Sequence, residues 1–149
     1  MIRVLIALCL FVITSVNGAA AEEITIAAAS DLNFVFRELI AEHERSTGDH
    51  VRLSLGSSGN FYAQIQQGAP FDLYFSADIA YPRKLEEAGL TVPGSLYPYA
   101  IGRIVLWAGK DSGLDLSKGM DVLLEPTIKK IAIANPKHAP YGRAAVAAM

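Results

Sequence analysis

The sequence predicts an α/β fold with a mainly parallel sheet. Between residues 24 and 88, short apolar runs of strand length alternate three times with stretches of helical periodicity. Each helical stretch is followed closely by a glycine, at positions 48, 68 and 89. Strand and helix alternating in this order are what βαβ units produce.

The elements follow in order. Residues 24–29 (ITIAAA) form the first buried strand, and Ser30-Asp31 is placed to cap the helix that follows. Leu32, Val35, Phe36, Leu39, Ile40 and His43 recur at spacings of three and four and should line one helical face. Val51, Leu53 and Leu55 alternate with polar residues, as in a half-buried second strand. A Gly-Ser-Ser-Gly-Asn turn at 56–60 leads into a short helix over 61–67, which Gly68-Ala69-Pro70 breaks. Residues 71–77 predict a third strand and 79–88 a third helix. After the irregular Pro/Gly/Tyr-rich stretch 91–99, strands are predicted at 101–108 and 130–134, with a weaker helix over 114–124 interrupted by Gly119. A loop at 136–140 then opens an Ala-rich helix from Tyr141.

Residues 1–21 predict something other than fold. Arg3 precedes an apolar run over 4–16, and Ala19-Ala20-Ala21 offers small residues for cleavage, the layout of a secretory signal peptide. The run is shorter than the ~18–20 residues that span a bilayer. Cys9 lies inside it behind bulky Leu8, a poor lipid-attachment context, so residues 22–149 carry no cysteine. A cysteine-free exported chain points to the periplasm, with stability drawn from packing rather than disulfides.

Composition narrows the class. The chain has 149 residues, 52% hydrophobic and 19% charged, with a net charge of −2. That balance argues against a nucleic-acid partner, which selects a basic stripe. The apolar share excludes a disordered chain. No pair of histidines has metal-ligand spacing, so no cation site is expected. His43 is expected as a packed helical residue, His50 as solvated beside Asp49, and Trp107 as core; His138 lies closer to the candidate site. Tyr97 and Tyr99 are expected to pack around the irregular segment.

Chemistry is expected where strands hand over to helices. In open α/β sheets ligands bind at that edge, and a helix start offers unpaired N–H groups to an anion. Three loops have suitable residues: Ala28-Ala29-Ser30, Gly56-Ser57-Ser58-Gly59 and Ala139-Pro140-Tyr141-Gly142. Each brings small residues that let backbone approach a ligand, and two bring hydroxyls. Taken singly, a serine there is as well explained as a cap and a Ser-Ser-Gly turn as a turn. No Walker loop is present, and Asn60 stands where a serine-hydrolase elbow around Ser58 needs glycine.

Three motifs together, AAASDL (27–32), LGSSGNFYAQIQQGAPFDLYFSAD (55–78) and NPKHAPYGRAA (135–145), resemble the periplasmic molybdate-binding proteins of bacterial ABC importers. The resemblance implies a two-lobed periplasmic binding protein-like fold of type II that closes over molybdate or tungstate. It implies no catalysis and no cofactor. The implied partners are the oxyanion and the permease and ATPase complex at the inner membrane, with the binding protein a monomer. By motif position, Ser30 and Ser58 correspond to the anion-contacting serines, with Ser57 competing for the second role. Tyr141 corresponds to a backbone N–H donor, with Gly142 beside it as a further candidate. Residues 22–99 would form most of lobe one and 100–149 the start of an incomplete lobe two. The family's remaining contacts, including a tyrosine hydroxyl, would lie beyond Met149, so a fragment carrying half of the site is expected.

The residues agree with this on physical grounds. A buried dianion must have its oxygens hydrogen-bonded. A pocket of donors alone disfavours a protonated phosphate by about 1–3 kcal/mol for the unpaired group. The alternatives are a binding protein of the same fold for sulfate or phosphate and, more weakly, a secreted serine hydrolase. Asp31 would repel an anion and is expected to point away and help cap the first helix.

Overall fold

The computed structural model describes residues 21–149; the signal-peptide segment expected at 1–21 lies, but for its last residue, outside them. Three strands, β1 (Glu23–Ala29), β2 (His50–Gly56) and β3 (Leu73–Phe75), form a parallel sheet in the order β2-β1-β3. Register runs from Glu23↔His50 to Ala29↔Gly56 on one side of β1 and from Ile26↔Leu73 to Ala28↔Phe75 on the other. The helices between them are α1 (Asn33–Thr47), α2 (Ser58–Gln66) and α3 (Ala80–Glu87), and a fourth, α4 (Pro140–Ala148), follows a long irregular stretch.

Because side chains alternate along β1, its two faces serve different helices. On one face, Ile26 and Ala28 pack with Val51 of β2 and Phe36 of α1, flanked by Leu32, Ile40, Leu53 and Phe75. Phe36 meets Phe75 edge to face at 4.8 Å. On the other face lie Ala27, Ala29 and Gly56. The ring of Phe61 from α2 occupies the space beside Gly56, 3.0 Å from where a Cβ would stand. Small residues there let α2 approach the sheet closely.

The ends of the helices follow local chemistry. α1 ends at Gly48 in the left-handed region (φ 82°), whose N–H bonds the Glu44 carbonyl at 2.9 Å. Gly89 (φ 69°) plays the same part after α3. β2 is tied to the start of β1 through Asp49, whose carboxylate accepts from the Glu22 N–H at 3.1 Å and from His43 at 3.2 Å. Those bonds, the Glu22 N–H foremost, hold the Asp49 carboxyl below the usual carboxylate range. His50 is exposed and pairs with Glu44.

Several expectations are corrected. The apolar face of α1 is narrower than its periodicity implied: Phe36 is buried, but Val35 and Leu39 are exposed, since the three-stranded sheet covers only part of the face. β3 is shorter than 71–77, because Asp72 spends its carboxylate on the Thr25 N–H (2.7 Å) and Ser76 turns the chain toward Asp78. α2 begins at Ser58 rather than 61. The strands expected at 101–108 and 130–134 do not form. A strand needs a ladder partner, and among the described residues none pairs with these segments, leaving Ile101 91% and Trp107 81% exposed. Trp107 is therefore not core. Residues Leu116–Leu124 form 3-10 turns rather than an α-helix, kinked at Gly119 (φ 61°, ψ −136°).

Two outcomes follow. Phe36→Ala should destabilise the chain by about 3–5 kcal/mol in urea unfolding, since it empties the space between α1 and the sheet. Asp49 contributes stability that is present above its ordinary carboxylate pKa and lost as pH falls through its lowered folded value. Asp49→Asn should therefore lose less thermal stability than the wild type between pH 5 and pH 3, read from melting midpoints.

Candidate functional site

Parallel pairing brings the C-terminal ends of all three strands to one edge. From Ala29 the chain enters a 3-10 turn, Ser30–Leu32; from Gly56 it enters α2; from Phe75 it passes through Ser76 and Asp78 to α3. A fourth segment, residues 135–143, is seated on the same edge by contacts that span most of the sequence. The Gly59 N–H donates to the His138 carbonyl (3.0 Å), and His138 Nδ1 lies 2.9 Å from Ser57 Oγ. The Tyr141 hydroxyl donates to the Asp31 carboxylate (3.1 Å). Arg143 donates to the Tyr81 hydroxyl (2.8 Å) and to Asp78, with its guanidinium 5.0 Å from the Tyr81 ring centre.

The two serines after β2 have distinct roles. Ser57 is the N-cap of α2, its Oγ accepting from the Asn60 N–H at 3.4 Å while also meeting His138. Ser58 is 1% exposed, and its Oγ accepts the Ala77 N–H at 2.9 Å. An oxygen fixed by an incoming donor keeps its own proton to give. The Ser58 carbonyl accepts the Tyr74 hydroxyl at 2.8 Å, and burial pushes the Tyr74 hydroxyl well above its ordinary pKa, so it remains a donor.

Ser30 does not cap a helix. The 3-10 turn it opens has no side-chain cap bond, and neither does α1. Its exposed hydroxyl is left at the sheet edge. Asp31 likewise does not cap α1, contrary to expectation; its carboxylate accepts the Tyr141 hydroxyl instead. Burial, reinforced by that carboxylate, raises the Tyr141 pKa.

α4 starts with Pro140, which has no N–H, while the Gly142 and Arg143 N–H groups both reach the Ala139 carbonyl, at 3.1 and 3.2 Å. Among the described residues, the Tyr141 N–H is thus the first-turn donor without a partner. Gly142 is needed for closeness, since a Cβ there would strike the Ala134 carbonyl. Gly59 is needed for the same reason, since a Cβ would fall 2.7 Å from the His138 carbonyl oxygen.

The structure therefore gathers Ser30, Ser57, Ser58, Tyr141 and Gly142 at the one edge where the sequence placed them. Asp78, Tyr81, Tyr74 and Arg143 were not singled out as site residues. The Ser-Ala-Asp triplet ahead of a helix was the available signal for Asp78, whose Oδ1 accepts the Tyr81 N–H at 3.2 Å. Tyr99 packs on Phe75 and donates to the Ser76 carbonyl (2.8 Å), whereas Tyr97 is exposed. A broad, partly open cavity of about 990 Å³ lies on the β3 side of this edge; its lining includes Asp31 and Tyr141 but neither Ser30 nor Ser58.

A doubly covered parallel sheet with small-residue, hydroxyl-bearing loops at its C-terminal edge is the arrangement in which open α/β folds place their ligand sites. The chain belongs to the bacterial extracellular solute-binding protein family, which matches residues 24–149. It is 43% identical over 129 residues to the molybdate-binding protein ModA of Azotobacter vinelandii, covering 87% of this chain and 50% of that protein. The molybdate-binding protein ModA of Rhodobacter capsulatus is 43% identical over 131 residues, covering 88% and 51%. The solved periplasmic molybdate-binding protein of Azotobacter vinelandii superposes with a TM-score of 0.74 at 40% identity, over 82% of this chain and 52% of that one. The chain spans about half the length of these relatives.

Ser58→Ala would leave the Ala77 N–H without its acceptor and should cost about 1–3 kcal/mol of stability. Ser57→Ala removes a cap and should cost about 1 kcal/mol. Urea unfolding of the two variants side by side checks that order.

Proposed function

We propose that this chain carries half of the oxyanion site of a periplasmic molybdate-binding component of an ABC importer, with tungstate as the companion ligand and a permease and ATPase complex as its membrane partner. It is a binding protein without catalysis. In this reading residues 22–99 supply most of one lobe and 100–149 begin the second, with the protein acting as a monomer. The donors are the hydroxyls of Ser30 and Ser58 and the N–H of Tyr141, with Ser57 and Gly142 flanking them.

The observation that carries the reading is the kind of donor left free at the edge. The Ser58 proton and the Tyr141 N–H are neutral dipoles held in place by the fold, while Arg143 nearby is committed to Asp78. Fixed neutral donors can satisfy a desolvated dianion without the near-irreversible grip of a charged clamp. The names of the relatives at 43% identity favour molybdate within that class.

Calorimetry against molybdate, tungstate, sulfate and phosphate tests the proposal. It should be run on the chain and on a chimera in which the remaining half of the Azotobacter vinelandii protein follows it. Molybdate and tungstate should bind the chimera and sulfate much more weakly. Ser30→Ala should weaken molybdate binding by about 1–3 kcal/mol, the loss of one donor to a charged acceptor. A chimera indifferent to molybdate, or one that prefers sulfate or phosphate, would sink the assignment.

A further inference from the structure

We infer that Arg143 is a positioning residue that docks the start of α4 onto the sheet edge, together with His138 and Tyr141. These three side chains lie within six residues, and each reaches a different strand-end loop. His138 meets Ser57 after β2, Tyr141 meets Asp31 after β1, and Arg143 meets Asp78 and Tyr81 after β3. The free Tyr141 N–H is thereby registered against all three loops at once.

Among the described residues, what precedes each helix differs. α1, α2 and α3 each follow a strand whose ladder fixes where the helix begins. α4 follows residues 130–134, which pair with no strand among those described. It meets the sheet edge through side chains and through the Gly59–His138 backbone bond. Of the three side chains, Arg143 makes the most: an ion pair with Asp78, a bond to the Tyr81 hydroxyl and a cation–π contact with the Tyr81 ring. Asp78 is preset to receive it, since its other carboxylate oxygen already accepts from the Ser76 hydroxyl and the Tyr81 N–H. A planar guanidinium suits two acceptors and a ring together, which an ammonium group does not.

The consequence for ligand rests on the proposed oxyanion site. If α4 is docked only part of the time, the anion meets a complete donor set only for that fraction, and apparent affinity falls in proportion. Arg143 would then govern affinity without touching the ligand.

Hydrogen exchange on the full 149-residue chain, with and without molybdate, tests this. In Arg143→Ala, amides of 139–146 should exchange at least about tenfold faster while those of β1, β2 and α1 keep wild-type protection. Arg143→Lys should fall between, and Tyr81→Phe, which keeps the ring, should loosen the segment less than Arg143→Ala. In the chimera, Arg143→Ala should weaken molybdate about tenfold, with the charge-exchanged Asp78→Arg, Arg143→Asp pair recovering part of it. Unchanged protection of 139–146 in Arg143→Ala overturns the inference. Should Arg143→Ala fail to fold, wild-type protection in both Arg143→Lys and Tyr81→Phe overturns it equally. Absence of any molybdate effect on the wild-type chimera counts against the oxyanion site alone, because the docking role is judged on ligand-free exchange.

Discussion

Everything at the candidate site depends on β1 pairing in parallel with both β2 and β3. That arrangement fixes Ala29 opposite Gly56 and Ala28 opposite Phe75, so the three following loops leave the sheet side by side. An antiparallel partner would have sent one of them to the far edge. The pairing in turn needs both faces of β1 covered, because a parallel strand exposes apolar side chains on each side. Ile26 and Ala28 take α1 through Phe36, and the small Ala27 and Ala29 admit α2 through Phe61.

The electrostatics of the edge are built from dipoles rather than net charge. The two carboxylates that meet the segment 138–143 are engaged: Asp31 with the Tyr141 hydroxyl, and Asp78 with Arg143. Tyr74, Tyr99 and Tyr141, whose hydroxyl pKa values burial raises further above the ordinary one, each donate to an oxygen. Asp31 gives the Tyr141 side chain a contact of its own, where the expectation concerned only its backbone.

Local signals in the sequence were legible. The order from β1 to α3, the stops at Gly48 and Gly89, and the concentration of candidate residues in strand-end loops all follow from spacing and turn chemistry within a few residues. What was not legible is long-range. His138 meets Ser57 across 81 residues, Arg143 meets Asp78 across 65, and Tyr141 meets Asp31 across 110. No periodicity encodes such pairs. The cap role assigned to Ser30 and Asp31 failed for a related reason: a Ser-Asp pair before a helix is a local cue, and a distant tyrosine took up the carboxylate.

Residues 101–108 and 130–134 show how far pattern alone can go. Their alternation is that of a strand, yet a pattern specifies only which face would be buried, and the ladder must come from a neighbour. β1 has a neighbour on each side and is ordered by both; these segments have none among the described residues. Among the described residues, α4 too follows a segment that pairs with no strand. Its nine residues, with Pro140 in the first turn and no side-chain cap, are too short to hold a position by propensity. The helix start that carries the Tyr141 N–H meets the sheet edge through contacts from His138, Tyr141 and Arg143. Arg143, Tyr141 and His138 thus tie that helix start to the same edge that carries Ser57 and Ser58.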